Sequence, residues 1–249
     1  MNHSYQEKVL ELIRRLKSGE HAGPASLPAH RLVTLEPVTW ADADEPQSIH
    51  TLAEWRKKAN PYFPAQFPVS EEGTHRWLVH STLEVPDRLL LWAVSAEGQR
   101  TGHLGLFRFD FTDRSVELDN VVRGVEGVLP GLMQAAVESL LVWTFETLAI
   151  DAVYLRVLSD NDRALRLYQR CGFQETMRMP LVREQEGDAV RWVEAPADHR
   201  RPVTRYFVTM RLLAAERRQR KTALAGPHHV LRTTMPQTRS DSTHQPPSR

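Results

Sequence analysis

The 249-residue sequence has a single cysteine, Cys171. No internal disulfide can form, and a reducing, cytoplasmic setting is the expectation. No run of eighteen apolar residues occurs, which excludes a helical membrane span. Glycine (12) and proline (16) are too few for a collagen-like or wholly disordered chain. The opening residues MNHSYQEKVLELIRRLK place acids inside a helical pattern, where a secretory leader would have an uninterrupted apolar stretch. Eleven histidines are present, yet none are paired at i, i+4 within a predicted helix, so no metal site is expected. His103 reads as a core or edge residue, and His228 and His229 fall near the C-terminus. With 41% hydrophobic and 25% charged side chains, the composition suits one large globular domain or two small ones.

An excess of either charge is also missing, since the net charge is +1. That average hides an asymmetry. Residues 211–249 hold eight Lys or Arg against two acids, and residues 1–210 hold 24 against 29, so a body at −5 carries a tail at +6. An acidic body favours cationic ligands over anionic ones.

Ser4 and Glu7 have capping-box spacing, and Val9, Leu12, Ile13 and Leu16 repeat at i, i+3, i+4 and i+7, which predicts a short amphipathic helix. Its apolar face needs a cover, and a second subunit is one candidate. Residues 31–40 alternate as a strand does. Residues 41–63 read as a broken helical region stopped at Pro61 and Pro64, and a further helix starts near Ser70. Strands are predicted at 89–96, 102–110 and 115–122, in antiparallel succession. Then come a Gly/Pro loop (123–131), a helix (132–148), a strand (152–159) and a short helix (163–172) ending at Gly172. A hairpin at 173–184 and 190–195 and a strand at 203–212 complete the pattern, and from about residue 214 the composition predicts disorder.

Two segments carry chemical content. The loop 123-RGVEGVLPG-131 joins a strand to a helix, so glycine N–H groups, the helix N-terminus and Arg123 could together hold a pyrophosphate; taken alone, an ordinary strand-to-helix turn is the simpler account. In 158-LSDNDRALRLYQRCGF-173, Asn161 lies at the mouth of a strand and Tyr168 lies two helical turns further on. A short amide there can hydrogen-bond an extended ligand, and a phenol can protonate a leaving group. A helix N-cap and a half-buried core aromatic are the alternatives.

Taken with the strand order, these segments resemble the GNAT family of acyl-CoA N-acyltransferases over about residues 30–212. Asn161-x-x-Ala-x-x-x-Tyr168-x-x-x-Gly172-Phe173 is similar to that family's second acyl-CoA motif, with Cys171 where an aliphatic residue is commoner. The first motif departs from the pattern, with Glu126 three residues after Arg123 and glycines at 124, 127 and 131. The resemblance implies an α/β (α+β) fold: one GNAT-type domain (30–213) whose central mixed, mostly antiparallel sheet is flanked by helices and splayed between its fourth and fifth strands. An N-terminal helix and linker (1–29) and a basic tail (214–249) flank it.

The resemblance further implies acetyl-CoA as co-substrate, lying in the gap between strands 115–122 and 152–159, and direct attack by an amine on the thioester. Val121, Val122, Arg123, Gly124, Gly127, Gly131, Leu132, Asn161, Arg163 and Tyr168 would hold the acyl-CoA. Tyr168 would protonate the departing sulfur, backbone N–H near Val121 and Val122 would polarise the carbonyl, and Glu117 is the candidate base, with Asp119 its competitor. Within the family, 52–63, Trp77 and the hairpin 89–110 look most like enzymes that acylate amino sugars of nucleotide-linked sugars, with protein N-terminal acetyltransferases second. Tyr62, Phe63, Phe67 and Trp77 fall where such relatives form an acceptor lip, although core packing is the simpler account. A catalytically degenerate module using 217-RRQRK-221 to bind nucleic acid is the reading from another class.

Overall fold

The computed structural model describes residues 2–20, 27, 30–127 and 130–224. Its backbone is one sheet of nine strands in the order β1-β3-β4-β5-β6-β9-β7-β8-β2. The strands are β1 (Val33–Pro37), β2 (Ala65–Gln66), β3 (Leu89–Ser95), β4 (Arg100–Asp110), β5 (Ser115–Arg123), β6 (Ala152–Leu158), β7 (Gln174–Glu186), β8 (Ala189–Glu194) and β9 (Arg205–Leu213). Only β5 and β6 run parallel. The helices are α1 (Asn2–Lys17), α2 (Trp40–Asp44), α3 (Pro46–Ala59), α4 (Glu71–Leu78), α5 (Leu132–Glu146), α6 (Asp162–Cys171) and α7 (Ala214–Leu224).

Period-two alternation divides the apolar run of β3 between two cores. Leu89, Leu91 and Ala93 join one cluster with α1 and α5, while Leu90, Trp92 and Val94 join a second with α3, on the other face. A buried carboxylate pins the second layer to the sheet. Asp42 accepts from Trp92 Nε1 at 3.1 Å, Arg100 Nη2 at 2.8 Å and Ser48 Oγ at 3.1 Å.

Helix ends follow local chemistry. Ser70 caps α4 by accepting from the Gly73 N–H, and Pro46 opens α3, where its missing N–H costs no bond. Gly172, at φ +102°, closes α6 in a left-handed conformation that favours glycine. The start of α1 differs from expectation: it begins at Asn2, so Ser4 is inside the helix and does not cap it.

The apolar face of α1 is covered by its own chain. Val9, Ile13 and Leu16 are buried in the first cluster, and Lys17 Nζ donates to the carbonyls of Thr82, Leu83 and Val85. A second subunit is not needed to cover that face. The expectation of disorder from residue 214 is corrected by α7. There Arg217 Nη2 donates to the Glu138 carbonyl, and Arg220 lies over Gly172. Residues 225–249, with His228 and His229, lie outside the described residues. No described helix is long and apolar enough to cross a membrane.

The feature that positions the site is the seam between β5 and β6. Their pairing runs only from Ser115–Ala152 to Glu117–Tyr154. Beyond it the strands separate, because β5 carries an extra residue against β4: His103 pairs with Val122, but Gly105 pairs with Asp119. Asn120 sits in this bulge at φ +51°, a conformation that asparagine tolerates better than most residues.

Candidate functional site

The splay opens a cleft of about 670 Å³. Glu117, Asp119, Val121, Val122, Arg123, Gly124, Gly131, Leu132, Asn161, Arg163 and Tyr168 all line it, so residues as far apart in the chain as Glu117 and Tyr168 meet there. Gly127 is the exception. It lines a separate recess with Ser95, Gln99 and Glu126.

Asn161 serves two purposes. Its Oδ1 accepts the Ala164 N–H at 3.2 Å as the N-cap of α6, while its amide NH2 makes no hydrogen bond among the described residues. The side chain is therefore held by one end with its donor end left over. Tyr168, one helix length on, is buried with its ring edge-on to Phe173 at 6.0 Å. Burial, followed by the nearby Asp119, pushes its pKa up, so the hydroxyl stays protonated and is a donor at neutral pH. Cys171 is also buried, which pushes its thiol up to about 12; it packs as a small apolar group.

The loop after β5 is committed to the protein more than a phosphate-binding reading expects. The Gly124 and Val125 N–H groups both donate to the Thr101 carbonyl, at 2.8 and 3.1 Å. A Cβ at Gly124 would run into the indole of Trp55, so this glycine is required by packing. Arg123 Nε donates to the Val125 carbonyl at 3.0 Å, tying the loop to itself. Gly131, at φ +87°, caps α5, and Leu132 and Val122 are buried in the first and second clusters.

Both acids on β5 are already paired. Glu117 accepts from Arg108 Nη1 at 2.5 Å and from Arg156 Nε at 3.1 Å. Asp119 accepts from Arg88 Nη2 at 3.0 Å and Asn120 Nδ2 at 2.7 Å. Arg88 is mostly buried under Phe107 and Trp77, and that burial lowers its pKa. Any amine approaching Glu117 competes with two guanidiniums for the same oxygens.

Sequence reasoning missed these arginine partners. Arg88 and Asp119 are 31 positions apart and Arg156 and Glu117 are 39, so no local pattern joins them. It also missed Arg166 and Arg170, which line the cleft with Arg163. Their i, i+3 and i+7 spacing on a short amphipathic helix is a signal that could have been read. Counted over the lining, six cations (Lys58, Arg123, Arg156, Arg163, Arg166, Arg170) face three acids (Glu117, Asp119, Glu126). The excess acid of the body is therefore not carried by the cleft lining as a whole, and three of the six cations, Arg163, Arg166 and Arg170, come from α6.

The acceptor-lip aromatics separate. Tyr62 is 57% exposed and Phe67 43%, while Phe63 and Trp77 pack against the second core cluster. Tyr62, Phe63 and Pro64 border the cleft, and Arg56 lies over the Phe63 ring at 3.8 Å. His103 is fully buried in the second layer, as the core reading expects. Among the described residues no group of three or more His, Cys, Asp or Glu side chains could hold a metal ion.

Residues 32–174 match the family model described as the acetyltransferase (GNAT) domain. No curated protein matches the chain. Among solved structures, spermidine N-acetyltransferase SpeG from Vibrio cholerae in complex with CoA and spermine is similar in fold, at a TM-score of 0.55 and 18% identity, covering 75% of this chain and 98% of that one. The same enzyme in complex with manganese ions gives a TM-score of 0.53 and 17% identity, over 77% of this chain and 98% of that one. At these identities the likeness is one of fold.

Proposed function

Because the chain belongs to the GNAT family of acetyltransferases, and is an acyl-CoA-dependent N-acetyltransferase, we propose that the cleft between β5 and β6 binds acetyl-CoA and passes its acetyl group directly to the amine of a small molecule. The observation that carries this reading is the position of two donors on one cleft wall: the Asn161 amide, held by its cap and unpaired at its NH2, and the Tyr168 hydroxyl, kept protonated by burial.

The residues present suit the co-substrate. Arg163, Arg166 and Arg170 make no hydrogen bond or ion pair among the described residues and provide charge for its phosphates. The N-terminus of α5 adds partial positive charge. The Asn161 NH2 can donate to a pantetheine carbonyl, and the β6-facing edge of β5, which has no strand partner beyond Glu117, can pair with its amides. The thioester supplies the activated acyl group.

In transfer, the amine nitrogen bonds to the thioester carbon and the carbon–sulfur bond breaks. The bulged backbone at Val121 and Val122 polarises the carbonyl oxygen. Tyr168 gives its proton to the leaving sulfur, and Glu117 takes the amine proton through a water, on the lone pairs that Arg108 and Arg156 leave.

For the acceptor, the aromatic lip of Tyr62 and Phe63, with Lys58 also lining the cleft, supports an amine that also carries a ring and an anionic group, of which an amino sugar of a nucleotide-linked sugar is the leading case. A polyamine is the second reading, favoured by the name of the similar solved structures. Release of free thiol from acetyl-CoA, measured against a nucleotide-linked amino sugar, spermidine and a peptide with a free N-terminus, separates the three. Turnover with spermidine alone would reverse the preferred order, and no thiol release with any amine would remove the acceptor readings altogether.

A further inference from the structure

The two faces of the sheet bring different cations to the cleft. On β6, Val153, Leu155 and Val157 are buried in the first cluster, together with Tyr168 and Cys171 of α6. Arg156 alternates with those valines and leucine, so it projects from the opposite face. Glu117, between Val116 and Leu118 of the first cluster, and Phe207, beside Val208 of that cluster, project the same way. That is the face of the second cluster, against which Phe63 packs. Arg163, Arg166 and Arg170 belong to α6, on the other side of the sheet.

Arg156 is held by one end only. Its Nε donates to Glu117 Oε1 at 3.1 Å, while Arg108 Nη1 holds Oε2 of the same carboxylate at 2.5 Å. The Phe207 ring centroid lies 5.4 Å from its guanidinium carbon. Neither Nη1 nor Nη2 of Arg156 makes a hydrogen bond among the described residues, and the side chain is 38% exposed where it lines the cleft. A guanidinium is planar, so a partner at Nε orients the whole group and leaves its two amino ends as a fork that matches the oxygens of a phosphate or carboxylate. An ion pair this exposed adds little to stability, whereas it does aim the fork. We propose that Arg156 is a specificity-determining residue on the acceptor side: its free fork binds an oxyanion, phosphate or carboxylate, carried by the amine that is acetylated. A polyamine has no group to offer this fork. The inference rests on the catalytic reading of the cleft given above and names the class of acceptor within it.

The test uses the full chain and two matched pairs of amines: glucosamine 6-phosphate against glucosamine, and 4-aminobutyrate against butylamine. The wild type is expected to prefer the anionic member of at least one pair by about tenfold or more in kcat/KM, and the pair that shows it assigns phosphate or carboxylate. In Arg156→Gln the preference is expected to fall to within about twofold of unity, while KM for acetyl-CoA stays within about twofold of the wild type. Arg156→Lys, which keeps the charge and lacks the fork, is expected to retain less than about a third of the preference. Acetylation without preference in the wild type, a preference unchanged in Arg156→Gln because both members lose equally, or a matching rise in KM for acetyl-CoA overturns the proposal. Binding is read apart from turnover and decides if none of the four amines is acetylated. With CoA saturating, so that the α6 cations are occupied, glucosamine 6-phosphate or 4-aminobutyrate is expected to raise the melting temperature, and Arg156→Gln is expected to abolish the rise. No rise with either compound, or an undiminished rise in the variant, overturns the proposal. If CoA itself gives no rise and no thiol is released with any amine, the catalytic reading fails on its own, and an Arg156-dependent rise with the anionic amine still establishes the oxyanion site.

Discussion

The two ends of the cleft are built on opposite plans. At the α6 end the side chains are left over: Arg163, Arg166 and Arg170 have no hydrogen bond or ion pair among the described residues, and the Asn161 NH2 has no partner. At the β5 end they are already paired. Glu117 sits between Arg108 and Arg156, and Asp119 between Arg88 and Asn120. The free end can gain a hydrogen bond for each phosphate or amide that enters, whereas the acids of the paired end can gain only by exchange. On the proposed reading, co-substrate charge would be recognised at one end, and at the other a fixed electrostatic frame would be ready before the acceptor arrives.

Tyr168 lies where the two ends meet, and its substitution breaks the comparison most severely. Tyr168→Phe is expected to lower kcat by about a hundredfold with chemistry rate-limiting, as general acids contribute on that scale. An unchanged kcat in single-turnover assays removes the acid role. Next in size is the paired end. Arg88→Ala leaves Asp119 without its ion partner beside Phe107 and should reduce folding stability by about 2–3 kcal/mol, read from denaturant midpoints. A loss below about 1 kcal/mol would mean that the frame is no firmer than a surface pair.

Glu117→Gln keeps the shape and removes the charge between Arg108 and Arg156. A fall of about tenfold in kcat/KM is expected, with no recovery as pH rises. Full activity would take the proton-accepting role away from Glu117. The smallest effect is at the free end, where Arg163→Ala should raise KM for acetyl-CoA about three- to fivefold, with a difference that narrows as salt is added. A salt-independent change would argue for packing over charge.

Much of this molecule was legible in local pattern. The helix from 132, the strand from 152, the capped helix beginning at Asn161 and the hairpin around Gly187 occur where periodicity and turn residues place them. Asn161 and Tyr168, two helical turns apart, both line the cleft. The loop 123–131 was harder to read, because glycine has the same letter whether it admits a phosphate or an indole; at Gly124 it admits Trp55, and the N–H there is bonded to Thr101. α7 was missed because its anchoring comes from Glu138 and Gly172, and its own composition gives no apolar face to detect.

The sequence by itself determined what short-range physics governs: the order of elements, the caps at Ser70 and Asn161, the left-handed closure at Gly172, and the burial of β3 on both faces. Tertiary structure alone decided which charges meet. An overall body charge of −5 became a cleft lined by six cations and three acids, because charges distribute by the faces they occupy and not by their place in the chain. The bulge at Asn120 was likewise beyond the sequence. An extra residue in a strand exists only against a partner strand, and here that partner places His103 beside it.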